Sequence, residues 1–184
     1  ENTAFEGCVN LRKVVVSDLA GWCGLPFSTA AANPLSIAHE LYVGDTQITD
    51  LVIPEGVQAV GNYAFYGATN LASVSFPVSV TSVGNAAFEG CKNLKKVIVS
   101  DLARWCGVSF ATASANPLAV AHELYVGDAR ITELDIPEGV QTIRSYAFSG
   151  ATNIQQVAMP EGIVSIGNWA FSDCSGLVSV DLQS

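Results

Sequence analysis

The chain has 184 residues, 49% of them hydrophobic and 14% charged, so it can form one well-buried domain and must bury much apolar surface in a regular way. Seventeen acidic against eight basic residues give a net charge of -9, which repels phosphate backbones and anionic lipid and excludes nucleic acid as a partner class. No apolar run reaches the roughly 20 residues of a membrane-spanning helix. The opening ENTAFEGC lacks the basic and apolar regions of a signal peptide, and it reads as starting partway through a structural unit, as an excised segment would.

In chain order, the first apolar unit begins at Leu11, and equivalent starts follow at Ile48, Leu71, Leu94, Ile131, Ile154 and Leu177. Two short steps follow each long one: 11 to 48 is long, 48 to 71 and 71 to 94 are short and equal, and the series from 94 to 131, 154 and 177 repeats them. Phe5 to Ala87 also aligns without a gap on Phe88 to Ala170, with roughly two-thirds identity, so the chain is an internal duplication of a shorter repeat. Within a short unit, LxxVxFP or IxxLxIP turns the third and fifth residues after the start inward as a short strand. Proline stops the strand, PEG at 54, 137 and 160 makes a turn, and a second apolar stretch, VxxVG or VxxIG, follows. Phe65, Phe88, Phe148 and Phe171 then anchor the interior. The column Asn10, Asn70, Asn93, Asn153 and Gly176, just before each start, predicts a left-handed corner, because Asn and Gly share that tolerance.

One unit in three is longer than the others. There Ser17 and Ser100 predict helix caps with aspartate in the first turn, and Gly24 and Gly107 predict the helix ends. Asn33-Pro34 and Asn116-Pro117 repeat the start signal, and Gly-Asp between two β-prone stretches predicts a tight hairpin. A single short unit cannot bury its own apolar face, whereas a stack of them can. The predicted fold is therefore an α/β repeat solenoid over residues 1–184, with halves 5–87 and 88–170: a right-handed coil of short parallel strands, every third turn enlarged by a helix-hairpin insert.

The repeated LxxVxFPxxVxxVGxxAFxGCxx resembles the BspA-like leucine-rich repeat family, and the long VSDLARWCGVSF…ANPLAVAHELYVGD turn is similar to a variant found among such proteins. The resemblance covers nearly the whole chain. It implies a bacterial or protozoan surface or secreted protein, in a family some of whose members are associated with adhesion to host matrix proteins or to other microbes.

Chemistry could reside in the doubled NPLSIAHELYVGD and NPLAVAHELYVGD, which hold the chain's two histidines. His39, Glu40 and Asp45, like His122, Glu123 and Asp128, are chemically adequate metal ligands or acid/base groups. Neighbours on an extended segment diverge, however, and the two copies lie three turns apart, so a structural role is expected and no metal or cofactor is assigned. Cys8, Cys91 and Cys174 share a column with Ala68 and Ala151, which reads as small buried side chains. Cys23 and Cys106 form a second column, and Cys8 with Cys23 or Cys91 with Cys106 remain conceivable disulfides.

The outward strand positions form the candidate partner-binding face: Lys13, Asp50, Ser73, Ser75, Lys96, Glu133, Asp135 and Gln156. Lys13 beside Asp50 and Lys96 beside Glu133 would be cross-strand pairs. The varying outward column beside constant apolar inward positions favours a non-enzymatic interaction module that binds a protein across this face, and the resemblance implies an adhesion role with a host matrix or surface protein as partner. A carbohydrate-binding solenoid is the alternative, with Trp22, Trp105, Tyr42 and Tyr125 as aromatics able to stack on sugar, or with Glu133 and Asp135 as a carboxylate pair. A structural spacer in a larger surface protein is the third reading. Open coil ends expose strand edges and allow end-to-end self-association.

Overall fold

The computed structural model describes residues 3–182, and short strands dominate it. The first half holds β1 (Val14–Val16), α1 (Leu19–Cys23), α2 (Leu35–Ala38), β2 (Leu41–Val43), β3 (Thr46–Gln47), β4 (Asp50–Val52), β5 (Ala59–Val60), β6 (Ser73–Phe76) and β7 (Ser82–Val83). The second half repeats them as β8 (Lys96–Val99), α3 (Leu102–Cys106), α4 (Leu118–Ala121), β10 (Leu124–Val126), β11 (Ala129–Arg130), β12 (Glu133–Asp135), β13 (Thr142–Ile143), β14 (Gln156–Met159) and β15 (Ser165–Ile166). It adds β9 (Ser109–Phe110) after α3, and β16 (Ser179–Leu182) closes the last described coil.

Strands one short unit apart pair in parallel: Asp50 with Ser73, Ser73 with Lys96, Glu133 with Gln156, and Gln156 with Ser179. The short units are thus coils stacked one strand apart, the predicted solenoid of short parallel strands. Alternate residues fill the interior: Leu51, Ile53, Val74, Phe76, Val97, Val99, Leu134, Ile136, Val157 and Met159 are all buried. Phe65 stacks on Phe88 with ring centroids 5.3 Å apart, and Phe148 on Phe171 at 5.2 Å, so the AF column is a ladder of rings through the core. The second edge carries the parallel sets β5-β7-β9 and β13-β15. In the PEG turns Gly56 and Gly139 take φ of 86° and 82°, while the N–H groups of Val57 and Val140 return to the Pro54 and Pro137 carbonyls at 3.2 Å, a type II turn. Successive coils pass so close at Gly84 that a Cβ there would stand 2.5 Å from Asn62 N, so no side chain fits.

The long unit is a complete coil with a hairpin appended. Val14 pairs with Leu41 across the whole insert, and Val97 pairs with Leu124 in the second half. From β2 and β10 the chain doubles back through β3 and β11 in antiparallel pairing, across Gly44-Asp45 and Gly127-Asp128. Glycine alone takes the left-handed position of each turn, φ 56° at Gly44 and 55° at Gly127, the pattern of a II′ hairpin. Asp45 and Asp128 fill the second position of each two-residue turn.

Two local expectations are corrected. The helix caps are Asp18 and Asp101 rather than Ser17 and Ser100: each aspartate carboxylate accepts the N–H of the third residue on, Gly21 and Arg104, at 3.0 Å. The helices do end at Gly24 and Gly107. The asparagine column is not left-handed either. That backbone lies three residues earlier, at Gly67, Gly90 and Gly150 with φ of 73°, 79° and 85°, and at Asp173 with 59°. The asparagines act through their side chains: Asn153 accepts the Leu124 N–H at 3.0 Å and donates to the Leu124 and Ile131 carbonyls at 3.0 and 2.6 Å, so one amide closes the hairpin against the coil behind it.

Asn33 and Asn116 dock the insert in the same way. Asn116, fully buried, caps α4 by accepting the Leu118 N–H at 2.9 Å and donates to the Tyr146 and Ala147 carbonyls at 2.6 and 3.1 Å. Trp105 Nε1 donates to the same Ala147 carbonyl at 2.8 Å. Asn116→Ala removes three bonds and leaves the Tyr146 carbonyl and the Leu118 N–H unsatisfied, while Trp105 keeps the Ala147 carbonyl paired, so urea denaturation should show a loss of roughly 2–4 kcal/mol.

Candidate interaction surface

Each half of the duplication builds the same outward cluster from the HELYVGD segment. His39 and His122 end α2 and α4 in a left-handed conformation, both at φ 63°. Their Nδ1–H groups donate to the Gly67 and Gly150 carbonyls at 2.9 and 3.2 Å, tying the insert to the coil that follows. Both residues are exposed, yet their rings are committed to backbone. Glu40 and Glu123 accept the Tyr42 and Tyr125 hydroxyls at 3.2 and 3.0 Å. Partial burial first, then the bond to the carboxylate and its charge, raise both tyrosines above the ordinary phenol value. Asp45 and Asp128 sit at the hairpin tips. Among the described residues no three His, Cys, Asp or Glu side chains group as a metal site would require.

The register of β8 decides the strand face. Its neighbours are β6 and β10, and β12 pairs only with β14, because the hairpin β10-β11 stands between them. Lys96 therefore does not neighbour Glu133, and Lys13 does not neighbour Asp50. Lys96 lies next to Ser73 on one side, and its Nζ stands 5.3 Å from the Tyr125 ring centroid on the other; Lys13 does the same over Tyr42, also at 5.3 Å. Arg130, on the returning strand β11, bonds Glu123 at 3.0 Å. The result is a chain of contacts, Lys96 over Tyr125, Tyr125 to Glu123, Glu123 to Arg130.

Each insert thus divides the strand face into separate sheets. Asp50, Ser73 and Lys96 share the sheet β4-β6-β8-β10-β11, while Glu133, Asp135 and Gln156 lie on the sheet β12-β14-β16, and Lys13 precedes β1 of the sheet β1-β2-β3. Ser73 is 7% exposed and donates to Asp50 at 2.5 Å, so it belongs to the sheet rather than to its surface. Ser75 is half-buried between Val52, which is exposed, and Ile98. Val52, Ser75, Ile98 and Tyr125 form one row, and Asp50, Ser73 and Lys96 a second, polar row beside it.

The candidate sugar platforms split. Trp22 and Trp105 are buried and bonded through Nε1, so neither can stack on a ligand. Trp169, in the last coil, is 60% exposed and lies nearly parallel to Tyr146, centroids 5.4 Å apart. Its place two residues before Phe171 is the column of Tyr63, Ala86 and Tyr146, all with positive φ. Its place in the last described coil distinguishes it, and no local motif signals that.

All five thiols are free; Cys8 is exposed and the other four are buried. Cys91 and Cys174 donate to the Phe65 and Phe148 carbonyls at 3.1 Å. Burial pushes the Cys23, Cys91 and Cys106 thiols up to about 12 and Cys174 to about 11, which removes them as nucleophiles at neutral pH.

An open leucine-rich-repeat solenoid with one interrupted strand face is the class these features define. The model of the BspA type leucine rich repeat region matches residues 35–114 and 119–184 in six copies, and the chain belongs to that family. Similar solved structures include a leucine rich cell surface protein from Faecalibacterium prausnitzii, 20% identical with TM-score 0.43, covering 87% of this chain and 42% of its own length. A leucine-rich repeat protein from Bacteroides ovatus is 20% identical with TM-score 0.44, covering 96% and 48%, and a leucine rich repeat protein from T. pallidum is 23% identical with TM-score 0.40, covering 77% and 73%. The chain spans less than half of the first two. Among curated proteins none matches.

Because the folded-state thiol values lie above the ordinary 9.0, each buried cysteine's contribution is complete below about pH 9 and is lost as pH climbs toward about 12. Thermal melts from about pH 8 to about pH 11 should show Tm falling. Cys91→Ala should flatten that fall while costing no more than about 1.5 kcal/mol at neutral pH, since the same column accepts Ala68 and Ala151.

Proposed function

We propose that this chain is a non-enzymatic interaction module of a cell-surface or secreted protein, and that it binds a protein ligand across the strand face built by β4, β6, β8, β10 and β11. The observation that carries the reading is the contrast between the two sides of these strands. Inward residues are uniformly apolar and buried, whereas the outward rows vary from coil to coil and present fixed groups of mixed character: Val52, Ile98 and Tyr125 beside Asp50, Lys96, Glu123 and Arg130. Lys96, Tyr125, Glu123 and Arg130 hold one another in place, which lowers the entropy lost when a partner covers them. A rigid aromatic with charged neighbours is the composition of a binding hot spot. Membership of the BspA-type repeat family supports both the interaction role and the surface location.

Surface plasmon resonance against a panel of extracellular-matrix proteins and glycans tests this reading. Tyr125→Ala with Lys96→Glu should weaken any protein ligand at least about tenfold with melting temperature nearly unchanged. Binding that survives both changes removes this face as the site. The exposed Trp169–Tyr146 stack favours a second reading, a glycan platform, under which Trp169→Ala rather than the strand-face pair abolishes binding to the glycan arm of the panel.

A further inference from the structure

A parallel ladder bonds a strand to one neighbour through every second residue, and the residues between turn their backbone groups to the other side. On β12 the bonds to β14 fall at even positions: the Gln155 and Gln156 N–H groups donate to the Thr132 carbonyl at 2.7 and 3.2 Å, and the Ile136 N–H donates to the Ala158 carbonyl at 2.9 Å. Glu133 and Asp135 alternate with these, so their N–H and C=O groups face away from β14. On the hairpin, Ala129 pairs with Val126 and the Ile131 N–H donates to the Leu124 carbonyl at 3.1 Å, which turns the Arg130 backbone outward as well. Among the described residues the backbone groups of Arg130, Glu133 and Asp135 on these sides have no hydrogen-bond partner. β4 carries the same edge at Asp50 and Val52, because Thr49 and Ile53 take its bonds to β6.

These edges lie within the stack. The sheet of β8, β10 and β11 precedes β12, and β14 and β16 follow it, so the edge is made by the hairpin that interrupts the ladder. A row of unpaired N–H and C=O groups is a template for one more strand. The side chains beside the two edges differ. Glu133, Asp135 and Glu138 are exposed and form no ion pair among the described residues, and β12, β14 and β16 contain no lysine or arginine. Arg130, on the hairpin, is already engaged by Glu123. On β4, by contrast, Asp50 accepts the Ser73 and Thr49 hydroxyls, and Val52 is apolar and exposed.

We propose that the edge of β12 takes up an extended segment of a partner protein as an added strand, selected by Lys or Arg side chains at two alternate positions. The backbone groups of Glu133 and Asp135 supply donors and acceptors that demand an extended conformation without reading sequence. Their carboxylates supply the choice, since outward residues of an added strand recur at the same interval of two as Glu133 and Asp135. The β4 edge offers no uncommitted acid and does not make that choice. The site is apart from the Lys96–Tyr125 cluster, so either one can fail without the other.

Titrating the 184-residue chain with acetyl-Lys-Thr-Lys-Thr-Lys-amide, read by NMR amide hydrogen exchange, tests the edge. At saturation the Glu133 and Asp135 amides should exchange at least about tenfold more slowly. The same peptide N-methylated at every residue should bind at least about tenfold more weakly, as should its Glu-for-Lys counterpart. Glu133→Lys with Asp135→Lys changes exposed positions, so Tm should hold while affinity for the lysine peptide falls about tenfold or more; Tyr125→Ala with Lys96→Glu should leave that affinity unchanged. Absence of binding at millimolar peptide overturns the proposal. So does binding that leaves the Glu133 and Asp135 amides unprotected, or an N-methylated peptide that binds as tightly as its parent. Equal affinity for the glutamate peptide overturns the selection for cations.

Discussion

Each coil in this protein is held by the backbone of the coil before it, and the parallel hydrogen-bond ladder that joins one short unit to the next is the constraint from which the remainder follows. A ladder fixes the separation of coils at about 4.8 Å. That spacing leaves no room for a Cβ at Gly84 or Gly167, and it sets the interval at which Phe65 meets Phe88. It also explains the cysteine column. A small side chain is all that fits between coils there, and a thiol adds a weak donor for the carbonyl of the coil behind.

The inserts disturb the ladder without breaking the stack. A hairpin cannot continue a parallel ladder on its returning strand, so β3 and β11 end one sheet and a new one begins at β4 and β12. Side chains take over what the backbone cannot do: Asn70 and Asn153 span the discontinuity, and Asn33, Asn116, Trp22 and Trp105 hold the helical side of the insert to the carbonyls at Tyr63–Ala64 and Tyr146–Ala147. Those carbonyls are available because Tyr63 and Tyr146 are left-handed. Buried Ala86 shares that conformation at the same place in its coil, so the strain belongs to the corner of the coil. The doubled His-Glu segment has the same character. Its histidines are clasps for Gly67 and Gly150, and its glutamates orient the tyrosines of the outward cluster.

For an interaction surface the interruption matters more than the individual residues. A continuous ladder would offer one uniform ribbon of outward side chains. Here the face is cut into panels, and the long panel is closed at one side by a self-bonded group of Lys96, Tyr125, Glu123 and Arg130.

The short period, the inward columns, the glycine of the PEG turns, the hairpin at Gly-Asp and the smallness of the cysteine column were all legible in the sequence, because each depends on a residue's own shape or on spacing along one chain. The helix caps at Asp18 and Asp101 and the left-handed positions at Gly67 and Gly90 were misplaced by one to three positions, since Ser and Asp, or Asn and Gly, satisfy the same local rule and only the surrounding coil chooses between them. The neighbours of Lys13 and Lys96 were beyond reach. Counting strands along the chain pairs them with Asp50 and Glu133, whereas in space the hairpin enters the sheet and gives each lysine a tyrosine ring instead. Periodicity by itself determined a stack of coils with an apolar interior. Which outward groups meet, and that Trp169 rather than Trp105 faces water, was decided by tertiary structure, because an outward contact depends on which strand lies alongside and no pattern along one strand encodes its neighbour.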